Sequence, residues 1–314
     1  MTDFRVALWP IDFSFPVASM EAWIALLEEK ALAAKAQNAD ILVLPEYACV
    51  HWYQFAPKDL KAGDGFEWTE SQNEAGLAGV AAVAKKTGLA ILAGSYPVRA
   101  PKPYPEPYFK QFNDTRKNEA LTRYFNRAYV FGADGTLVLT QDKMVLTPWE
   151  LDEQGDNMQG GQTISSFMLN GVKVGVLVCL DVQQSAVVHA LMHEGIEVLL
   201  VPSMTMHPSG YNRVFLNCRA RAVEGMMGVA AVGGVGVPPY LVGRETNFAG
   251  AAIYGPCEMD MAVDGIILQS EPSYGMSMTH AGDVHVGAVP IDAIRRKRRE
   301  GAEAWPGGII AFKG

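Results

Sequence analysis

The sequence predicts a layered α/β protein with a mixed sheet, and three observations carry that prediction. Strand-like apolar runs alternate with helical patterns through much of the chain, no charge-free apolar stretch approaches about 18 residues, and an Asp-Gly hairpin signal interrupts the alternation. Residues 4–10 (FRVALWP) read as the first strand, and the stretch from Met20 to Asn38, rich in Ala, Leu, Glu and Lys, as the first helix. A second strand, ILVLP, stops at Pro45. The next helix spans Ser71 to Thr87, ends at Gly88 where a left-handed cap favours glycine, and leads into LAILAGSYPV.

Between Arg123 and Lys143 the pattern becomes two strands joined at Ala133-Asp134-Gly135, which makes the sheet mixed. An apolar β-rich run follows from Val172 to Cys179 (VKVGVLVC), then a helix from Gln183 to His193 and the strand VLLVPS. A helix from Tyr211 to Met226 precedes the Gly-rich run GVAAVGGVGV, which lacks the spacing of a dinucleotide loop and reads as a close-packed strand. Short strands complete the chain to Pro290.

At 314 residues, 49% hydrophobic and 19% charged, the chain can bury a large core, and no spacer or fixed-period repeat divides it. The expectation is one domain over residues 1–290, with 291–314 as a C-terminal extension. A net charge of -8 argues against a nucleic-acid partner. The basic run Arg295, Arg296, Lys297, Arg298, Arg299 admits a nucleic-acid or membrane reading. The acidic remainder favours a short solvated helix end with its cations against the helix C-terminus. MTDFRVALWP carries an acid where a signal peptide would place basic residues, so a cytoplasmic protein is expected. Cys49, Cys179, Cys218 and Cys257 form no CxxC pair, so neither a disulfide framework nor a zinc ribbon is expected.

Three polar residues stand where apolar strands end: Glu46 after ILVLP, Lys143 after LVLTQD and Cys179 after VKVGVLV. Strand ends of α/β sheets open onto crevices, where sites form. Singly, each has a plain explanation as a surface charge, a hairpin end or an inert buried thiol. Together they supply what acyl chemistry requires. A thiol with an ordinary pKa near 8.5 needs a base to become a nucleophile, and a buried carboxylate such as Glu46 can be that base and later protonate the leaving amine. Lys143 would hold positive charge where a tetrahedral oxyanion develops, helped by the Leu180 backbone N–H.

The segments LPEY (44–47), DKMVLTPWE (142–150) and VLVCLDV (176–182), in that order, resemble the three motif regions of the nitrilase, or carbon-nitrogen hydrolase, superfamily. EVLLVPSMT (197–205) and RARAVEG (219–225) extend the resemblance, which covers most of the chain to about residue 290 and is nearest an unclassified amidase-like branch. It implies a four-layer α-β-β-α sandwich with mixed sheets and a catalytic Glu46, Lys143 and Cys179, with no cofactor or metal. It also implies a further glutamate, for which Glu150 fits, orienting Lys143 or the substrate, against the plain reading of a helix-start acid. The implied substrate is a small-molecule amide, since amidases predominate among the family's branches, and the implied assembly is a homodimer or higher homo-oligomer with the segment from Ile291 crossing to the partner.

The chain departs from many relatives after the cysteine, where Gln183-Gln184-Ser185-Ala186 replaces an acid-Phe-Pro-acid run and puts pocket shape in question. Tyr47, Trp149, Gln183 and Thr205 are pocket candidates, and the loops HWYQF (51–55) and PKPYPEPYF (101–109) are either pocket walls or packed surface. Rivals remain. His189 and His193 share a helix face at metal-ligand spacing but lack a third ligand. A Cys-His pair could replace Glu46 as base. Nitrile hydrolysis or N-acyl transfer could use the same three residues, and a catalytically silent interaction module could keep the fold.

Overall fold

Side chains alternate across a strand, so a run buried on both faces feeds two cores at once. The strand β1 (Phe4–Leu8) sends Phe4, Val6 and Leu8 into one core and Ala7 into the other. In β2 (Ile41–Val43), Ile41 and Val43 join the first core and Leu42 the second. The computed structural model, which describes residues 3–116, 118–237, 246–303 and 305, resolves these sets as a core between two sheets that continues beneath the helices on the second sheet, and a core beneath the helices on the first.

The first sheet runs in the order β12, β1, β2, β3, β4, β5, where β3 is Ala90–Arg99, β4 is Tyr124–Phe131, β5 is Leu137–Asp142 and β12 is His285–Val289. The second runs β11, β10, β9, β8, β7, β6, where β6 is Ser166–Leu169, β7 is Val172–Val176, β8 is Val198–Ser203, β9 is Gly228–Gly233, β10 is Ala251–Tyr254 and β11 is Ile266–Gln269. Each sheet has a parallel centre, β1-β2-β3 or β7-β8-β9, flanked by antiparallel strands. Both sheets are therefore mixed, as the hairpin signal predicts. The helices α1 (Met20–Ala36) and α2 (Gly65–Thr87) cover the first sheet with Trp23, Leu27, Val80 and Val83. The second sheet is covered by α4 (Ser185–His193) and α5 (Pro208–Glu224), while α3 (Pro148–Leu151) is a single turn. The result is the α-β-β-α sandwich.

Three local expectations change. Helix α2 begins six residues before Ser71, because Phe66 stacks on Tyr47 and Trp68 on Tyr53, contacts that local propensity does not contain. The HWYQF segment lies in a 3-10 helix, Ala48–Phe55, and Trp52 is core, edge-on to Trp23 at 5.5 Å. The PKPYPEPYF loop is mostly surface, although Phe109 packs against the inter-sheet core.

The basic run is half-exposed and its charges are paired. It lies on α6 (Ile291–Glu300), which buries Ile291 and Ile294. Arg295 pairs with Glu197, Arg296 with Asp260, and Lys297 with Glu258 at 3.0 Å. Arg298 donates to the carbonyls of Ile196, Gly225 and Met226, closing the C-terminal end of α5. Residues 291–300 are thus packed on their own chain. The last part of the segment expected to reach a partner, 306–314, lies outside the described residues. Among the described residues no helix is long and apolar enough to cross a membrane.

Candidate active site

The C-terminal ends of β2, β5, β7 and β8 converge, and each delivers one part of a buried polar cluster. Glu46 lies three residues beyond β2, held by a bulge in β3 between Leu92 and Ser95. Gly94 in that bulge has φ +78, and a Cβ there would stand 2.1 Å from the Pro45 carbonyl oxygen, so only glycine lets the chain pass. Tyr47 takes a left-handed φ of 51 and donates its N–H to Ser95 Oγ at 3.0 Å. This turn fixes the Glu46 side chain, which is 1% exposed.

Lys143 directly follows β5, and its backbone N–H donates to the Asn126 carbonyl on β4 at 2.9 Å. Its Nζ donates to Glu46 Oε1 and to Glu150 Oε1, both at 2.8 Å. Glu150 makes two kinds of contact with its two oxygens. Oε2 accepts the Thr147 N–H at 2.8 Å in a capping box on α3, while Oε1 holds Lys143.

Cys179 lies three residues past the end of β7, opens a 3-10 turn over Cys179–Gln183 and takes φ 50, a conformation that non-glycine residues adopt at a cost of about 1 kcal/mol. Its Sγ lies 3.7 Å from the carbonyl oxygen of Met204, just past β8, and Met204 in turn donates its N–H to Glu46 Oε2 at 2.8 Å. Asp181 staples this turn to the lysine loop: Oδ1 accepts from Met144 and Val145 N–H, and Oδ2 from Val178 N–H, at 2.7–3.0 Å.

The electrostatics follow from burial. Two carboxylates share one ammonium, and burial raises the Glu46 pKa, with Lys143 opposing and Glu150 reinforcing. Burial alone would discharge Lys143, but Glu150 and Glu46 outweigh it and hold the ammonium charged, its pKa well above the ordinary value. Burial and the neighbouring Glu46 push the Cys179 thiol well up, with Lys143 only partly offsetting them. Burial thus favours the neutral thiol over a thiolate-cation pair. Burial raises Asp181 to about 7 against the pull of Lys143 and its backbone N–H donors. Such a cluster can take a proton from sulfur, hold a cation beside a developing oxyanion and return the proton to a leaving group.

Glu46, Lys143, Cys179 and Glu150 come together. The Leu180 N–H heads the 3-10 turn beside the thiol, where helical N–H groups lack an intrahelical partner. Tyr47 reaches the cluster through its hydroxyl, 3.4 Å from Glu150 Oε1. Thr205 is buried, but its hydroxyl is taken by the Phe248 carbonyl, and Gln183 stands half-buried at the end of the Cys179–Gln183 turn. Trp149 is not brought in: it is 57% exposed, and its Nε1 bonds Asp156. His189 is engaged by Glu224 at 2.8 Å. The groups acting on Cys179 are Glu46, Lys143 and Met204, not a histidine. Sequence reasoning missed Asn126, Asp181 and the Met204 N–H. The one available signal was Asn126, a polar residue in an otherwise strand-like run, FNRAYVF.

Comparison with known proteins bears on the fold and the family. The probable hydrolase YhcX of Bacillus subtilis (strain 168) is 28% identical over 179 residues, 57% of this chain and 33% of that protein. The omega-amidase NIT2 of Danio rerio is 27% identical over 207 residues, 63% of each chain. The chain thus spans between a third and somewhat under two thirds of the length of these curated relatives. A solved structure of an amidase mutant from Nesterenkonia sp. AN1, described as showing covalent addition of the acetamide moiety of fluoroacetamide at its active-site cysteine, superposes with a TM-score of 0.63 at 18% identity. The match covers 95% of this chain and 94% of that one, and it establishes the fold. The carbon-nitrogen hydrolase family model matches residues 10–286, and with that span of the sandwich accounted for, the chain belongs to the carbon-nitrogen hydrolase family.

Proposed function

We propose that the protein hydrolyses a non-peptide C-N bond, that of a small-molecule amide, through a thioester on Cys179. The observation that carries this reading is Lys143 Nζ held 2.8 Å from both Glu46 and Glu150, with the buried Cys179 thiol close enough for Glu46 and Lys143 to act on it. Glu46 takes the thiol proton as sulfur attacks the amide carbonyl. Lys143 and the Leu180 N–H stabilise the oxyanion, Glu46 returns the proton to the departing amine, and it then activates water to cleave the thioester. Glu150 keeps Lys143 charged and oriented. The amidase-type relatives support an amide as substrate, and the raised Glu46 pKa supports its double use as base and acid.

The test is an amide and nitrile panel followed by intact mass spectrometry. Wild-type protein should carry an acyl adduct and release ammonia or amine, and Cys179→Ala should do neither while remaining folded. Turnover retained by Cys179→Ala refutes the mechanism. Nitrile-only turnover, or transfer to an added amine in place of hydrolysis, replaces the amidase reading with one of its rivals. We propose in addition that the protein is cytoplasmic and forms a homodimer or higher homo-oligomer. A fully active monomer in light scattering refutes the dimer.

A further inference from the structure

Glu46 has four lone pairs, and the structure accounts for three of them. Oε1 accepts from Lys143 Nζ at 2.8 Å and from Asn126 Nδ2 at 2.8 Å, while Oε2 accepts from the Met204 N–H at 2.8 Å. One position is left, on Oε2. Met204 also brings the thiol there, because its carbonyl oxygen lies 3.7 Å from Cys179 Sγ. Asn126 is fully buried on β4, and its amide nitrogen has to face the cluster because its partners there are carboxylate oxygens: Glu46 Oε1, and Glu150 Oε1 at 3.5 Å. That orientation leaves its own Oδ1 buried without a hydrogen-bond partner, an arrangement that a residue selected for packing alone would avoid.

We infer that Asn126 is a positioning residue: together with Lys143 it fills Glu46 Oε1 with donors, so the proton leaving Cys179 Sγ can be received only on Oε2. The S–H bond breaks, an O–H bond forms on Oε2, and the sulfur keeps the electron pair with which it attacks. The same Oε2–H later gives its proton to the nitrogen of the departing amine. Oε1 accepts throughout and stays bound to Lys143. Without Asn126, Oε1 has a free lone pair, the proton can settle on the side away from the thiol, and the ionised form of Glu46 loses a donor.

This inference rests on Glu46 being the base for Cys179, and a substrate-independent readout tests it. The rate of Cys179 alkylation by iodoacetamide, assigned by peptide mapping to separate it from exposed Cys257, is followed against pH in wild type, Glu46→Gln, Asn126→Leu and Asn126→Ala. Wild type should show an acid limb that Glu46→Gln lacks. Asn126→Leu should move that limb up by about one pH unit, the effect of removing one hydrogen bond to a carboxylate. Asn126→Ala should move it less, since water can enter the vacated space. Asn126→Ala also carries the test alone if the leucine variant does not fold. A limb left at its wild-type pH in a folded variant, even one with reduced alkylation, overturns the inference. A limb equally present in Glu46→Gln also overturns it. The amide panel separates the two failures: an acyl adduct on wild type with an unmoved limb leaves the thioester reading standing and removes only the role of Asn126.

Discussion

Two clusters of charge in this molecule contrast in every physical respect. On α6, the side chains of Arg295, Arg296 and Lys297 are between 24% and 43% exposed, and each meets an acid on a neighbouring loop or strand end. At the strand ends, Glu46, Lys143 and Glu150 are almost wholly buried, with one more carboxylate than cation. The sequence advertises the first as a run of five and scatters the second over 105 positions. Exposed pairs cost little to form and contribute little, so a conspicuous surface run carries small information about function. A buried cluster with unbalanced charge is costly to keep, and its retention points to chemistry.

The contrast breaks most severely at Lys143. Lys143→Met removes the only cation between two buried carboxylates. Turnover should fall by about a thousandfold or more, and stability by about 3–5 kcal/mol, in line with removing one partner of a buried ion pair. Steady-state kinetics and urea unfolding check the two effects. A variant that loses activity but keeps wild-type stability would mean that the carboxylates protonate at little cost, and the buried cluster would then be as cheap as the surface one.

Glu46, Lys143 and Cys179 were legible because three short motifs in a fixed order fell at strand ends, a local pattern. Glu150 was legible as a cap or as a partner of Lys143, and it makes both contacts, one oxygen each. Asn126 and Asp181 were not legible as participants. Asn126 meets Glu46 80 residues away and Asp181 meets Val145 36 residues away, and nothing local distinguishes an inward-turned Asn on a strand from an outward one. Strand β6 was passed over for a similar reason, since its short SFML run becomes a strand by pairing with β7. The ion pairs of the basic run were not legible because its acidic partners come from distant segments, which charge counting along the chain does not bring together. Pairings along one element were readable, and those made across the sandwich were not.

A buried titratable group without a charged partner sharpens the contrast. His51 is fully buried, its Nε2–H donates to the Phe15 carbonyl at 2.8 Å, and Nδ1 has no partner. Burial lowers its pKa to about 4, only partly opposed by the Phe15 carbonyl and Asp12. The unfolded chain takes up this proton near pH 6.5 and the folded chain only near 4, so the stabilisation is complete above 6.5 and is lost as pH falls from 6.5 to 4. The full loss is about 3 kcal/mol. Urea unfolding of wild type and His51→Gln at pH 7.5 and pH 4.5 isolates it: the stability gap between the two proteins should narrow at the lower pH. A gap independent of pH would mean that the imidazole already titrates in the folded protein.

The smallest effect is expected where the sequence is most heavily charged. Arg296 pairs with Asp260, and both side chains are about 40% exposed, so solvent screens the pair. Arg296→Ala should cost under about 1 kcal/mol, shrink further in high salt and leave turnover unchanged. Arg298 lies on the same helix, yet its guanidinium spans three carbonyls and stacks 5.1 Å from the Trp305 ring, so Arg298→Ala should cost more than its neighbour and show little salt dependence. Unfolding measured at low and high salt separates the two. Equal, salt-sensitive losses would make the whole run a screened surface and leave the end of α5 to be closed by its own backbone. Unequal losses would show that, even within one basic run, the contribution of a charge follows how many buried acceptors it satisfies and not how many like charges stand beside it.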